Sequence, residues 1–207
     1  MRVLITGFGP FPGAPFNPSA ALAAALARRR RPALAQHEFV AHVFATTFAD
    51  VDRDLPALFA QNPDIVLMFG LASRTRHLRV ETQGRNAVSV LFPDASGYRP
   101  QSGLIAAGAP ARLRGAAPFV RLLGAMRDSA FPARLSRDAG NYLCNYAYWR
   151  ALQLAGDGHT VVCFIHIPPV GSRPRRGRRH QSRSPLFSRL VAAAEMLLIA
   201  LLAASRR

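Results

Sequence analysis

The chain contains no lysine: all 27 of its basic residues are Arg, and they face only 11 acidic residues, giving a formal charge of +16. Arg and Ala rising together while Lys vanishes has the mark of a GC-rich coding bias, which discounts the charge as a signal of function. Such a surface still attracts polyanions non-specifically. Cysteine is almost as scarce. Two thiols, Cys144 and Cys163, are too few for a disulfide scaffold, and Cys163 lies in an apolar run that reads as a buried strand, which disfavours a bridge between them. Glutamate occurs only three times, at Glu38, Glu81 and Glu195. The six His and the acids show no metal-ligand spacing, so no metal or other cofactor is expected. Met1 to Thr6 runs straight into a strand without a basic start and a long apolar stretch, so no signal peptide is expected and the cytoplasm is the default compartment. Leu190 to Ser205 is apolar except for Glu195, but it is short and Ala-rich for a membrane span. It is expected to be a terminal helix packed on the core.

What the chain does have is apolar residues, half of the 207, with thirteen Phe. That is enough for one domain with a sizeable core and excludes disorder. Arg2 to Thr6 reads as a short apolar strand, followed by the Gly- and Pro-rich loop GFGPFPGAPFNPS. Ala20 to Arg31 reads as a helix, with Asn17 as N-cap before Pro18. Four successive arginines end it, read as a solvated helix end. His37 to Thr46 reads as a strand, Asp50 to Gln61 as a short helix, and Asp64 to Gly70 as a buried strand. Further strand is expected within Leu78 to Leu91, and helices over Pro118 to Met126 and Gly140 to Ala155. Thr160 to Ile167 is another buried strand, stopped by Pro168 and Pro169. An Arg-rich loop over 172–187 leads to a C-terminal helix over about 188–205. Continuous apolar strands alternating with helices predict an α/β domain, its sheet covered on both faces. Sites in such sheets lie outside the carboxyl ends of the strands. The loop after Thr6, the segment after Gly70 and His166 all fall there.

Three side chains could carry chemistry. Cys144, in AGNYLCNYAYW, lies near the start of a predicted helix, where a thiolate is favoured. His166 ends a buried strand and could take the thiol proton. Glu81 could accept from that imidazole, fixing its tautomer. Each alone also reads blandly: a core Cys, a core His, and a surface Glu neutralising Arg76, Arg79 or Arg85. His77 is the one close competitor for the imidazole.

Together, the segments ITGFGPFPGAPFNPS, GLASRTRHLRVETQGRN, DAGNYLCNYAYW and FIHIPP, in this order, make Arg2 to Pro169 resemble the type I pyroglutamyl peptidases, also called pyrrolidone carboxyl peptidases. The resemblance implies an α/β single domain with a mixed, largely parallel central sheet flanked by helices on both faces. It implies a cysteine peptidase with Cys144 as nucleophile, His166 as base and Glu81 as its partner, acting on peptides with an N-terminal pyroglutamate. It implies a ring pocket lined by Phe8, Phe11 and Tyr142, with Phe16, Asn17 and Leu71 as further candidates for substrate contact. Homodimers or homotetramers are implied too; no specific nucleic acid and no membrane partner are. Differences lie in the middle segment. Ser73, Arg74 and Thr75 stand where the family usually has Gly-Gly-Arg, and Arg79 and Val80 where it has a small polar and then an apolar residue. Gly84, Arg85 and Asn86 replace Ala-x-Asn, and Leu71 replaces a Gln that touches the substrate ring. These differences motivate one alternative, an inactive relative or one with a different amide substrate. The net charge and the Arg tract motivate another, a nucleic-acid-binding protein.

The tract from Arg173 to Arg183 has two readings, a solvated linker and a basic lip that draws in acidic peptides. The linker reading is favoured. It predicts that kcat/KM for a pyroglutamyl peptide with acidic residues downstream falls with salt no more than for a neutral one. A steeper fall for the acidic peptide would show the lip, because exposed charges are screened over about 8–10 Å near physiological ionic strength.

Overall fold

The computed structural model describes residues 1–11, 13–127, 129, 131–170 and 185–205. The Arg-rich tract, 172–183, therefore lies outside the described residues. Strands β1 (Arg2–Phe8), β2 (Glu38–Phe44), β3 (Ile65–Leu71), β4 (Leu78–Glu81), β7 (Ala133–Ser136) and β8 (Val161–Ile167) form one six-stranded sheet in the order β2-β1-β3-β8-β4-β7. The first four in that order run parallel; β4 turns antiparallel to β8, and β7 runs parallel to β4. A two-stranded ribbon, β5 (Gln83–Arg85) with β6 (Arg112–Arg114), stands apart from it. Helices are α1 (Pro18–Ala27), α2 (Phe48–Phe59), α3 (Phe119–Ala125), α4 (Leu143–Ala155) and α5 (Pro185–Ala204).

Alternate side chains of the buried strands enter two separate cores. Val3, Ile5, Leu67, Leu78, Val80, Cys163 and Ile165 face α1, α3 and α5. Leu4, Val66, Met68, Val162 and Phe164 face α2 and α4. The period-two alternation thus decides which residues can meet at all. Cys163 points to the first core and Cys144 belongs to a helix of the second. The sheet itself separates the two thiols, and both are free.

Helix ends follow their sequence signals. Asn17 accepts from the Ser19 N–H at 3.1 Å, with Pro18 in the first turn of α1. Thr47 accepts from the Asp50 N–H at 3.1 Å at the start of α2. Where the sequence puts Ala20 to Arg31 in one helix, α1 stops at Ala27, and only a 3₁₀ turn forms at Pro32–Leu34. The arginines are not simply a solvated end. Arg29 and Arg31 reach the nearly buried Glu195 on α5, at 3.3 and 3.0 Å. The aromatic-rich helix begins at Leu143 rather than Gly140, because Gly140 takes φ +85°. Strand between Leu78 and Leu91 ends at Arg85, where Asn86 turns its side chain to the loop at 105–109. The three- and four-residue strands β6 and β7 are too short and too charged to show a pattern in the sequence. By length and composition α5 could cross a membrane, but half of its apolar window is buried in the protein. Leu190, Ala193, Ala194, Leu197, Leu198 and Leu201 pack into the first core.

One close approach holds β1 against α1. A Cβ on Gly7 would lie 2.4 Å from the Ser19 carbonyl oxygen and 2.8 Å from the Ala20 nitrogen, both backbone. Gly7→Ala should therefore destabilise the chain by about 1–3 kcal/mol in urea unfolding, the range for overpacking. Unchanged stability would mean that this crossing is looser than described.

Candidate active site

β3 and β8 bring Gly70 and His166 side by side, in register. β4 is opposite β8 on the other side, with Arg79 paired to His166 and Glu81 to Phe164. Leu78 and Val80 point into the first core, so Arg79 and Glu81 share the opposite face with His166. Glu81 is completely buried, and His166 nearly so. His166 Nδ1 and Glu81 Oε1 are 2.8 Å apart. With that nitrogen donating to the carboxylate, Nε2 is left on the side away from Glu81, and Cys144 is near enough to act on the ring's titration. Burial pulls the imidazole down, but hydrogen bonds and charge from Cys144 and Glu81 outweigh it and push its pKa to about 9.

Cys144 is the second residue of α4, half-buried, above the end of β3. A Cβ on Gly70 would lie 2.7 Å from its sulfur and 2.8 Å from the Phe164 ring, so glycine here leaves the space that the thiol occupies. Among the described residues no side chain caps the α4 start, and no acidic residue lies in its first turn. Its first N–H groups, that of Cys144 included, are thus free to meet an anion. Asn145 fixes this turn: its Oδ1 accepts from the Arg85 N–H at 2.9 Å, and its Nδ2 donates to the Arg85 and Ala87 carbonyls, both at 2.8 Å. One turn on, Tyr148 donates to the Glu81 main-chain carbonyl at 2.9 Å. Neither Asn145 nor Tyr148 stands out in the sequence; the only cue is a polar residue beside the cysteine.

The other candidates divide. Phe11 brings its ring to 6.1 Å from Tyr142, two residues before the thiol. Tyr142 donates to the Pro93 carbonyl at 2.8 Å; burial, then the charges of Asp94 and Cys144, raise its pKa to about 12. Leu71 closes β3 beside Gly70. Phe8 is buried against Phe44 and Phe164, in the core beneath the site. Asn17 has both side-chain ends engaged, Oδ1 by Ser19 and Nδ2 on the Gly9 carbonyl, so it fixes the first loop. Phe16 is 39% exposed. His77 stands before β4, its pKa lowered by burial and then by Arg134 and Arg79; His166 holds the place next to Cys144. Two open depressions, of ≈ 420 and ≈ 620 Å³, include none of these three central residues.

A thiol at a helix start, beside an imidazole that is held by a buried carboxylate, defines the arrangement of a cysteine hydrolase on an α/β sheet. The comparisons with known proteins narrow that class. The family model for pyroglutamyl peptidase matches residues 1–205. A pyrrolidone-carboxylate peptidase of Thermococcus onnurineus is 35% identical over 171 residues, covering 81% of this chain and 84% of that protein. One from Vibrio vulnificus is 29% identical over 199 residues, covering 96% and 91%. The solved pyrrolidone carboxyl peptidase from Thermococcus litoralis superposes with a TM-score of 0.85 at 26% identity, covering 98% and 93%. That from Thermus thermophilus gives 0.82 at 28% identity, covering 96% and 100%. The chain belongs to the pyroglutamyl peptidase family.

The raised imidazole sets a pH dependence. Its folded-state pKa, about 9, exceeds the ordinary 6.5, so the folded state binds the proton more tightly than the unfolded one. The resulting stability is complete below about 6.5 and is lost as pH rises through about 9. In urea unfolding at pH 6 and pH 9.5, the wild type should lose more stability than His166→Asn. Equal losses would contradict a proton held by this cluster.

Proposed function

We propose that the chain hydrolyses the amide bond joining an N-terminal pyroglutamyl group to the next residue of a peptide, with Cys144 as nucleophile, His166 as general base and acid, and Glu81 as the group that orients His166. One observation carries this reading: His166 has its Nδ1 2.8 Å from the Glu81 carboxylate and stands beside Gly70, over which the Cys144 sulfur sits. Membership of the family supplies the substrate class.

In this reading His166 Nε2 takes the thiol proton. The sulfur attacks the pyroglutamyl carbonyl, and the oxyanion is met by the uncapped N–H groups at the start of α4. Collapse breaks the C–N bond as His166 passes its proton to the leaving amine. The thioester is then hydrolysed by water, deprotonated by the same nitrogen, which releases pyroglutamate and restores the thiol. Glu81 keeps Nδ1 protonated throughout, so Nε2 remains the reacting nitrogen. Tyr142, Phe11 and Leu71 form the rim on which a flat, uncharged lactam would rest. Two free thiols suit a reducing compartment, in keeping with action in the cytoplasm. Assembly as a homodimer or homotetramer belongs to the same reading.

The test is release of a chromophore from a pyroglutamyl-linked substrate and from ordinary N-terminal aminoacyl substrates. The wild type should cleave the first alone. Cys144→Ser should lower kcat/KM by on the order of 10⁴-fold or more, the scale of losing a nucleophile. Cys163→Ser should retain activity while lowering the melting temperature, because it places a hydroxyl in an apolar core. Cleavage of aminoacyl substrates, or of none, would replace this reading by that of a re-purposed or inactive relative. Activity that survives in Cys144→Ser would remove the nucleophile assignment.

A further inference from the structure

The buried Glu81 carboxylate has a second cation beside it. Arg79 Nη2 is 3.1 Å from Glu81 Oε1, the same oxygen that His166 Nδ1 contacts at 2.8 Å. Glu81 Oε2 has no hydrogen-bond donor among the described residues. Both of the carboxylate's close partners therefore converge on one oxygen. Alternation along β4 puts Arg79 and Glu81 on one face, and the β4–β8 register sets Arg79 directly opposite His166. The Arg79 side chain is 26% exposed, and it is held in place by donating to the Ser136 hydroxyl at 2.8 Å and to the Asp138 main-chain carbonyl.

We propose that Arg79 is a positioning residue that keeps Glu81 ionised and sets the pH range over which the Cys144–His166–Glu81 cluster works, holding that range lower than the three groups alone would. This role of Arg79 rests on the catalytic reading above. A fully buried carboxylate facing a neutral imidazole would tend to take up a proton. A guanidinium is charged at every working pH, so it removes that tendency in both states of His166. It also opposes each protonation of the cluster, wherever the proton resides, because every proton adds positive charge a few ångströms from a fixed cation. All apparent pKa values of the coupled cluster therefore move down together.

The other groups around it do not supply this charge. From α4 come Cys144, a member of the cluster, and Tyr148, whose hydroxyl bonds the Glu81 main chain and whose pKa is raised well above its ordinary value, mainly by burial. From β3 comes Gly70. From β7 comes Arg134, in register with Arg79 but exposed, and ahead of β4 comes His77, whose pKa is lowered by burial and then by Arg134 and Arg79, so it supplies no fixed charge. The Asp138 carboxylate is paired with Arg85 at 2.6 Å.

The experiment compares wild type with Arg79→Gln, Arg79→Met and Arg79→Lys, using two pH profiles. One is kcat/KM on a pyroglutamyl chromogenic substrate; the other is the rate of Cys144 alkylation by iodoacetamide, followed by mass spectrometry. In the neutral variants both limbs of each profile should move up by about one pH unit, the lower end of what a charge at this distance produces, given its partial exposure. Arg79→Lys should restore them, and KM should be unchanged because the side-chain contacts of Arg79 among the described residues are with Glu81, Ser136 and Asp138 and not with the rim residues. Profiles that stay in place or move down in a folded neutral variant overturn the proposal, as does failure of Lys to restore them. Should neither neutral variant fold while Arg79→Lys does, Arg79 is a fold element and the tuning role is overturned. The alkylation profile needs no substrate. If the wild type cleaves no pyroglutamyl substrate, the function assigned above fails while the alkylation arm still decides the role of Arg79.

Discussion

The contact between Glu81 and His166 is the constraint on which the rest depends. A carboxylate with no exposed surface costs several kcal/mol to desolvate unless it is paired, and removing one partner of such a pair typically costs about 3–5 kcal/mol. Pairing requires β4 to lie beside β8 in the sheet, and the antiparallel register then brings the carboxylate to the imidazole. A parallel β4 in the same position would enter the sheet from the other end. The single reversal of direction in an otherwise parallel arrangement of four strands is thus what puts an acid next to the histidine. It also places Arg79 where it shares that acid.

The Cys144 thiol is delivered from the opposite direction. α4 lies over the sheet with its first turn above the end of β3, and Gly70 leaves the sulfur room. Asn145 and Tyr148 tie the same two turns to the 81–87 segment, Asn145 through the Arg85 and Ala87 backbone and Tyr148 through the Glu81 carbonyl. Thiol and carboxylate are therefore not independent. The helix that carries one is bonded to the backbone that carries the other, and His166 closes the gap between them. Cys163 is excluded by geometry, since it faces the other core, and by chemistry, since burial pushes its pKa up to about 12.

Much of this was legible in the chain. The apolar runs at Arg2, Asp64 and Thr160 marked β1, β3 and β8, because continuous hydrophobic strands need two covered faces. Asn17-Pro18 marked the start of α1, since a cap and a fixed φ act locally. His166 and Cys144 were candidates by their place at a strand end and a helix start, but each alone also read as a core residue, and only the resemblance of the motifs together joined them. What failed to show was long-range. The pairing of Arg31 with Glu195 spans 164 residues, and Arg29 joins the same carboxylate, so the arginines read as a solvated end. β6 and β7 are defined by their partners and not by their own composition. Arg79 read as one of three arginines that a surface Glu81 could neutralise; the pairing is there, but only the β4–β8 register reveals that the carboxylate is buried and that Arg79 stands across from His166. Asn17 was legible as the cap of α1, but its donation to the Gly9 carbonyl, which ties the first loop, had no local signal.

The most direct test of the central claim is to catch the acyl group on the protein. Wild-type chain mixed with a pyroglutamyl ester or amide substrate, quenched in acid within the first turnover and digested, should carry one pyroglutamyl group on the peptide that contains Cys144, and His166→Asn should accumulate none at neutral pH. Turnover without any acyl group on the protein, or an acyl group found on the Cys163 peptide, would contradict the account.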